Sequence, residues 1–272
     1  MPQAIQESAA AVANDKLYVA GGYDIARNST DTLFVFDGTT WTRGPALPLR
    51  VNHPGAAAIG NDVYVAGGFT PSGAATARAF VLASGSWREV APMHTARGAL
   101  ALLSLDGALY AIGGRSGSLQ IASLERYDPA SNAWTALAPM PSPRNHVAGY
   151  VDGASVCVAG GRVPNTSARV DCFSPATGAW TAGTPLAIPT SGAAAGVFGN
   201  VVVVAGGEPA FEGNLVTAVQ TRRDASWTTE PMVVPRHGTG YALYHGRLWM
   251  CGGATAPGFH AVATCTSLKA SA

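Results

Sequence analysis

Charged residues are scarce in this 272-residue chain, because Asp, Glu, Lys and Arg together make up 12% of it, about half of their usual share. Lysine occurs only at Lys16 and Lys269, so arginine carries nearly all of the positive charge. A formal net charge of +1 provides no basic stripe of the kind that nucleic-acid-binding proteins present. No apolar run approaches the ~20 residues that a membrane-spanning helix requires. We therefore expect neither nucleic acid nor a membrane as a partner.

The chain is rich in one repeated phrase, a short apolar run that ends in two glycines. The phrase occurs six times, with its glycine pairs at positions 21–22, 67–68, 113–114, 160–161, 206–207 and 252–253. Successive first glycines lie 46 or 47 residues apart. A strand-like run that returns at this period indicates a repeat architecture, so we expect residues 1–272 to form a single domain.

Each repeat contains four strand-like phrases in the same order. A run of small residues precedes the Gly-Gly strand, a third strand follows a variable loop, and a strand with one tryptophan leads into a Pro-rich turn. The tryptophans of five repeats, which we expect to pack on neighbouring repeats, are Trp41, Trp87, Trp134, Trp180 and Trp227. Four short antiparallel strands repeated six times predict an all-β protein, a six-bladed β-propeller.

The third repeat carries the most complete set of these signals: Gly113-Gly114, then Tyr127-Asp128-Pro129, then Trp134 and a Pro-Met-Pro turn followed by Arg144. This combination resembles the kelch-repeat β-propellers, and the resemblance extends over essentially the whole chain. It implies a six-bladed kelch-type propeller. The fifth repeat departs from the pattern, since Thr190 stands where other repeats have arginine.

The sixth repeat is shorter than the others. Its third strand is expected near Val262 to Leu268, and the sequence stops where the next tryptophan is due. Met1 aligns with Met140 at the turn that follows the tryptophan strand, so the N-terminal residues do not supply the outer strand. We therefore predict a last blade that lacks its outer strand. The exposed edge of such a blade can pair with another chain, which makes self-association a candidate property.

In an antiparallel blade the first strand begins and the second strand ends on the same face. Residues before the first strand and after each Gly-Gly pair should therefore gather at one mouth of the central channel. The basic candidates there are Arg50, Arg97, Arg115, Arg144, Arg162 and Arg236, joined by His53, His146, His237, Glu208 and Glu212. An arginine-rich mouth predicts a ligand with a carboxylate or phosphate group, either an anionic small molecule or an acidic peptide.

Each candidate also has a structural interpretation. The arginines that precede a first strand, namely Arg50, Arg97, Arg144 and Arg236, can instead bond the backbone and link blades. Arg115 and Arg162 belong to variable loops, where binding residues concentrate. His53, His146 and His237 fall in alternate repeats and could face one axial metal ion, but histidine is also common there for structural reasons. We predict no cofactor.

Glu208 is the one acidic residue that directly follows a Gly-Gly pair. It can act as a general acid or base, or form half of an ion pair at the rim. Bacterial sialic acid mutarotases resemble this chain in their six-blade kelch form and in a mouth with glutamate and arginine. That resemblance implies, as an alternative to a binding protein, an enzyme that acts on an acidic sugar. A third hypothesis, an assembly scaffold, follows from the missing outer strand.

The four cysteines lie in equivalent strands of two repeats. Cys157 and Cys251 belong to second strands, and Cys172 and Cys265 belong to third strands of the same repeats. Two disulfides, Cys157–Cys172 and Cys251–Cys265, would form if each pair lies directly opposite, and they would fit an oxidising compartment. Cys157 and Cys251, which occupy core positions of their strands, can instead be ordinary small core residues.

Overall fold

The computed structural model describes residues 1–209 and 214–269, so Glu212 lies outside the described residues. Within these ranges the strands form six antiparallel sheets, the blades, whose first strands surround a central channel. No helix in the described part of the chain has the length and apolar character needed to cross a bilayer. The predicted all-β, six-bladed propeller is confirmed.

The first three blades have four main strands each. Blade 1 consists of β1 (Ala9–Ala13), β2 (Lys16–Ala20), β3 (Leu33–Phe36) and β4 (Trp41–Arg43). Blade 2 consists of β5 (Gly55–Ile59), β6 (Asp62–Ala66), β7 (Ala79–Ala83) and β8 (Ser86–Val90). Blade 3 consists of β9 (Ala101–Leu105), β10 (Ala108–Ile112), β13 (Leu124–Asp128) and β14 (Ala133–Leu137), with a small hairpin of β11 (Arg115–Ser116) and β12 (Leu119–Gln120).

Blades 4 and 5 repeat this plan and blade 6 is smaller. Blade 4 consists of β15 (Ala148–Asp152), β16 (Ser155–Ala159), β19 (Val170–Ser174) and β20 (Ala179–Ala182), with a hairpin of β17 (Arg162–Val163) and β18 (Asn165–Thr166). Blade 5 consists of β21 (Ala194–Phe198), β22 (Val201–Ala205), β23 (Ala218–Arg222) and β24 (Trp227–Pro231). Blade 6 consists of β25 (Gly240–Tyr244), β26 (Arg247–Cys251) and β27 (Cys265–Leu268).

Blade 6 therefore has three strands in the described residues, as the sequence predicts, and β27 has β26 as its one neighbour there. The N-terminal residues pack against the segment that enters β27. The Met1 amino group donates to the Ala263 carbonyl oxygen at 2.7 Å, and Ile5 N–H donates to Val262 at 3.3 Å. Other blades form the equivalent bond between two of their own segments, as Met140 N–H does with the carbonyl oxygen of Ala122. The Met1 bond therefore joins the first blade to the last.

Six residues, one before each first strand, close the propeller through a ring of backbone hydrogen bonds, here named the axial ring: Glu7, His53, Ala99, His146, Gly192 and Gly238. Each N–H donates to the carbonyl oxygen of the preceding member at 2.7–3.0 Å, and Glu7 donates to Gly238. All six have a positive φ, between 51° and 64°. Because blade 6 is bonded to blade 1 in this way, the blades form a closed body and not an open stack.

The Gly-Gly pairs exist because neighbouring blades approach too closely for a side chain. The first glycine of each pair has a φ of 64–68°, which most residues avoid. A Cβ on Gly67 would lie 2.5 Å from the carbonyl oxygen of Arg97 in the next blade. The second glycine, Gly68, donates its N–H to that same oxygen at 2.9 Å. The repeated glycines therefore fix the contact between blades.

Small residues dominate the first strands because these strands crowd around the axis. A Cβ added at Gly149 would lie 2.7 Å from the Cβ of Ala101 in the preceding blade. The remaining space is a cavity of about 380 Å³ bounded by the first strands of all six blades. The side chain of Tyr241 extends from blade 6 to blade 4, where its hydroxyl accepts from the N–H of Gly149 at 2.8 Å.

Tryptophans of the outer strands tie blades 2 to 5 to the turns that enter them. The indole N–H groups of Trp87, Trp134, Trp180 and Trp227 donate to carbonyl oxygens of these turns at 2.7–2.9 Å. Each cysteine pair lies directly opposite in register on neighbouring strands. Both predicted disulfides, Cys157–Cys172 and Cys251–Cys265, are formed in the structure.

Candidate functional site

Six short backbone bridges gather the candidate residues at one mouth of the channel. Each bridge joins the residue before the axial ring to the residue after a Gly-Gly pair: Gln6 to Tyr23, Asn52 to Phe69, Gly98 to Arg115, Asn145 to Arg162, Ser191 to Glu208, and His237 to Ala254. The two groups of residues that the sequence places at the mouth therefore meet there. The mouth carries one of these pairs from every blade.

Two carboxylates and three imidazoles meet at the centre of the mouth, and we name them the axial cluster: Glu7, His53, His146, Glu208 and His237. Glu7 Oε2 lies 3.2 Å from His53 Nε2, and Glu7 Oε1 lies 3.8 Å from His237 Nδ1. His237 Nδ1 is 3.5 Å from Glu208 Oε1. The rings of His53 and His146 meet edge to face with their centroids 5.0 Å apart.

Arg162 borders this cluster from blade 4. Its Nη2 donates to Glu208 Oε2, and its Nε donates to the Ser191 hydroxyl at 2.8 Å. The side chains of Arg162 and Glu208 are 13% and 8% exposed, so the pair is recessed and not fully solvated. Glu208 thus forms an ion pair at the mouth, as one of its two sequence interpretations expects, while it also faces His237.

Asparagines fix the orientation of two of the imidazoles. Asn52 Oδ1 lies 2.6 Å from His53 Nδ1, and Asn52 Nδ2 donates to the carbonyl oxygen of Phe69 at 3.1 Å. Asn145 Oδ1 contacts His146 Nδ1 in the same way. Because each amide oxygen can only accept, Nδ1 carries the proton in both rings. The unprotonated Nε2 atoms then face the channel axis.

Burial and the neighbouring charges set the protonation states of the cluster. Burial lowers the pKa of His53, and the Glu7 carboxylate opposes that shift. The pKa of His146 falls well below 6.5 because of burial and then of the positive charge on Arg162. Burial by itself would raise the pKa of Glu7, but His53, His237 and Arg162 outweigh it and lower the value. Near neutral pH the site therefore holds a Glu7 carboxylate and an uncharged His146.

Aromatic rings cover the side of the mouth formed by blades 1 and 2. The ring centroid of Tyr23 lies 5.9 Å from that of Phe259 and 5.8 Å from that of His53. Phe69 continues this arc at 5.5 Å from His53, and the Arg115 guanidinium stacks 4.4 Å above Phe69. The mouth is therefore aromatic on one side and polar, with Arg162 and Glu208, on the other.

The structure places three of the predicted arginines away from the ligand side of the mouth. Arg97, Arg144 and Arg236 are 0%, 0% and 1% exposed. Arg97 donates to Glu125 at 2.7 Å, Arg144 donates to Asp171 at 2.6 Å, and Arg236 donates to backbone carbonyl oxygens. These contacts are the structural role that the sequence left open, so we do not include the three arginines in the proposed site.

Arg50 does not share the position of those arginines. Gly22 N–H donates to the carbonyl oxygen of Val51, as Gly68 N–H donates to that of Arg97. Val51 therefore occupies the buried position in blade 2, and the alignment of Arg50 with Arg97 is wrong by one residue. The Arg50 side chain is 64% exposed and lies 3.5 Å from Asp31.

The predicted three-histidine group also differs from the arrangement in the structure. His53 and His146 belong to the axial ring, whereas His237 stands one residue earlier in its blade. The third ring residue that places a ligand atom beside the two histidines is Glu7, and the three ligand atoms all lie within 4.8 Å of one another. The repeat alignment that equates Met1 with Met140 also equates Glu7 with His146, so the place of Glu7 in the axial ring could be read from the sequence.

Comparisons with known proteins agree with this architecture. The KLHDC2/KLHL20/DRC7 Kelch-repeats domain matches residues 7–207. The chain is 46% identical to mouse Kelch-like protein 35 over 56 residues, which are 21% of this chain and 10% of that protein. It is 39% identical to alpha-scruin of Limulus polyphemus over 84 residues, 30% of this chain and 9% of that protein. These matches span about a tenth of each relative's length.

A solved structure superposes on nearly the whole chain. The protein titled "Structure of YjhT" matches with a TM-score of 0.83 and covers 99% of this chain and 96% of its own. The two sequences are 17% identical, so the match establishes a shared fold and nothing about the ligand.

Proposed function

The chain belongs to the kelch-repeat family, and from this premise and the geometry of its mouth we propose that it is a binding propeller that recognises a carboxylate-bearing ligand. The observation that supports this proposal is the convergence of Arg115 and Arg162. Both guanidinium groups lower the pKa values of the same two axial imidazoles, His53 and His146. Arg115 stacks on Phe69 and Arg162 is held by Glu208 and Ser191 at the mouth, where a ligand carboxylate can accept charge-assisted hydrogen bonds.

The shape of the mouth narrows the ligand further. On the polar side the Arg162 side chain is only 13% exposed. The carboxylate must therefore lie on a narrow part of the ligand that can enter the recess. The aromatic side, formed by Tyr23, Phe69 and Phe259, suits a ring or an apolar face. A sugar acid and an acidic side chain on an extended peptide share this chemistry, and the test distinguishes these two sources.

Calorimetric titration with matched ligand pairs tests this proposal. Sugar acids and short acidic peptides are titrated beside their amide counterparts, into the wild-type protein and into the variants Arg115→Ala and Arg162→Ala. We expect the acids to bind at least tenfold more tightly than the amides and each variant to remove most of that preference. Arg88→Ala on the exposed outer strand β8 is the matched control. Equal binding of acids and amides would contradict the proposal.

An enzyme that acts on an acidic sugar is the second candidate function, and the position of Glu208 favours it. Its carboxylate lies between the Arg162 guanidinium and His237, an arrangement in which a carboxyl can exchange a proton with a bound substrate. In a catalyst, Glu208→Gln would abolish anomer exchange of a bound sugar acid, measured by NMR magnetisation transfer, while calorimetric binding persists. In a binding protein, the wild type would show no exchange above background.

The edge of β27 favours self-association as a third candidate property. Within the described residues β27 pairs with β26 alone, and all four of its residues are half-buried. A strand edge of this kind is a template for another strand. Sedimentation at increasing protein concentration tests this, with Ser267→Pro as the variant, because the register of β26 and β27 turns the N–H of Ser267 toward the open edge and proline removes it. A monomer at every concentration would contradict it.

A further inference from the structure

The axial ring holds three potential metal ligands on rigid backbone. Glu7, His53 and His146 have φ values of 56°, 51° and 52°, and each is bonded to its ring neighbours on both sides. Ala99 shares this conformation with a φ of 55°, so the three larger side chains are not demanded by the backbone. Their ligand atoms nevertheless converge, all within 4.8 Å of one another.

The hydrogen bonds behind the two histidines resemble the outer contacts of a metal site. Asn52 and Asn145 accept from the Nδ1–H groups of His53 and His146, which leaves the Nε2 lone pairs directed at the axis. The amide of Asn145 is itself oriented, since its Nδ2 donates to Gln120 Oε1. Metal-binding histidines nearly always donate their second ring N–H to such an acceptor, which fixes the tautomer.

The inward-facing atoms are acceptors that lack a donor between them. His53 Nε2 and Glu7 Oε2 lie 3.2 Å apart, and both carry lone pairs when the imidazole is neutral and the carboxylate is ionised. A proton or a cation must lie between two such atoms to make the contact favourable. A divalent metal ion between them would satisfy both atoms.

We propose that Glu7, His53 and His146 form a binding site for a divalent transition-metal ion on the channel axis. Two ligands on one tetrahedral ion at ~2.1 Å lie about 3.4 Å apart, which the Glu7–His53 distance of 3.2 Å already matches. Two imidazoles and one carboxylate suit zinc, iron, cobalt or nickel better than calcium or magnesium. Three protein ligands leave a coordination position open toward the mouth.

Metal titration of tag-free protein stripped with a chelator tests the site directly, without any organic ligand. We expect one Zn²⁺ per chain by calorimetry, and a Co²⁺ complex whose visible absorption indicates four or five coordination. His146→Ala should weaken Zn²⁺ binding at least 100-fold, and Glu7→Gln at least tenfold. Absence of saturable Zn²⁺ binding by the wild type, or full affinity in His146→Ala, would overturn the proposal.

Two control variants separate this site from other histidines. His245→Ala removes an exposed imidazole that lies beyond the end of β25 away from the mouth, beside Asp15, and should keep Zn²⁺ affinity within threefold of wild type. His237→Ala removes the residue that the sequence pattern places in the metal group. Its ring contacts Glu7 but supplies no ligand atom, so this variant should lose far less affinity than His146→Ala. A loss in His237→Ala equal to that in His146→Ala would overturn the assignment of Glu7 as the third ligand.

Thermal unfolding of each variant with and without Zn²⁺ distinguishes lost binding from lost folding. A ligand that binds the native state alone raises the unfolding temperature, so Zn²⁺ should stabilise the wild type and His237→Ala but not His146→Ala. Because Ala99 occupies the same ring position with the same backbone conformation, His146→Ala should remain folded. Zn²⁺ stabilisation of His146→Ala equal to that of wild type would contradict the site.

Discussion

Blades 1 and 2 differ from blades 3 and 4 at one buried pair of positions. One member lies two residues before the axial ring. The other lies on the third strand, opposite the residue that stands two positions before the Gly-Gly pair. In blades 1 and 2 both members are apolar: Ile5 with Phe34, and Val51 with Phe80. In blades 3 and 4 they have opposite charges: Arg97 with Glu125, and Arg144 with Asp171. All eight side chains are at most 3% exposed.

The remaining blades show that the two positions change together. Blade 5 carries Thr190 with Gln220, a neutral polar pair in which Gln220 bonds both the N–H and the carbonyl oxygen of Ile188. Blade 6 carries Arg236 with Thr266, and there the arginine is bonded to the carbonyl oxygens of Gly252 and Thr264. One backbone frame thus accepts apolar, ionic or neutral polar pairs, provided that no charge is left without partners. A buried ion pair is therefore exchangeable as a unit, whereas one member alone is exchangeable only where other groups bond the charge that remains, as backbone carbonyl oxygens do for Arg236.

Removing one member of an ion pair should have the largest effect. In Glu125→Ala, Arg97 loses its carboxylate partner at 2.7 Å, and the backbone N–H of His94 loses its acceptor at 2.6 Å. Burial already lowers the pKa of Arg97 to about 10, against the opposing charge of Glu125. An uncompensated buried charge should destabilise the fold by about 3–5 kcal/mol. Urea unfolding followed by tryptophan fluorescence measures the loss.

Transplanting the blade 2 pair into blade 3 serves as the matched control. Pro48 aligns with His94, so the exchange is His94→Pro, Arg97→Val and Glu125→Phe. It removes both charges and the His94 donor, and leaves the Thr95 N–H, which donates to Glu125 at 3.2 Å, as the one backbone donor that loses this acceptor. The triple variant should regain most of the stability that Glu125→Ala loses. If the triple variant is as unstable as the single one, the two kinds of blade are not interchangeable and the comparison fails.

Adding a single charge to the neutral pair of blade 5 should have a smaller effect. In Gln220→Glu the carboxyl can remain neutral and still bond both groups of Ile188, so its pKa should rise in the folded state. A raised folded pKa means that stability is retained below the unfolded pKa and lost as pH rises through the folded pKa. We expect a loss of about 2 kcal/mol at pH 8 and almost none at pH 4.5, relative to wild type at each pH. A loss that does not change with pH would show that shape and not charge limits this position.

The Arg97–Glu125 pair shows which features of the fold the sequence could predict and which it could not. The 46-residue period, the Gly-Gly contacts and the three-stranded blade 6 follow from local patterns that repeat. They can be recognised without knowing which distant residues contact one another. The role of Arg97 is not, because it depends on Glu125, which lies 28 residues away on another strand. Arg97 is buried against Glu125, whereas Arg50, displaced by one residue, is 64% exposed.

The mouth shows the same limit. Glu7 follows from the register of the repeats, but its contact with His237 depends on closure of blade 6 onto blade 1, which no local pattern encodes. Arg115 and Arg162 follow from their loop positions, since these loops vary between blades. The aromatic arc could not be foreseen, because Phe259 reaches Tyr23 across the junction of the last and first blades.

The axial ring extends the comparison, because Glu7, His53 and His146 occupy positions where other blades have alanine or glycine. Burial lowers the pKa of both histidines below 6.5. A lowered folded pKa means that the unfolded chain takes up the proton first, so stability is complete above pH 6.5 and declines as pH falls below it. Arg115 and Arg162 add to this shift, whereas the Glu7 carboxylate opposes it for His53. We expect wild-type protein to lose about 1 kcal/mol between pH 7 and pH 5.5 in urea unfolding.

His146→Ala tests the source of that loss, since it converts the ring position of blade 4 into that of blade 3. The variant should lose less stability than wild type over the same pH interval, because one of the two imidazoles that resist protonation is gone. The measurement must use chelator-treated protein, since a bound metal ion would itself make stability depend on pH. An unchanged pH dependence in His146→Ala would assign the effect to groups outside the axial ring. The residues of the axial ring would then differ in the size of their side chains and not in their effect on charge.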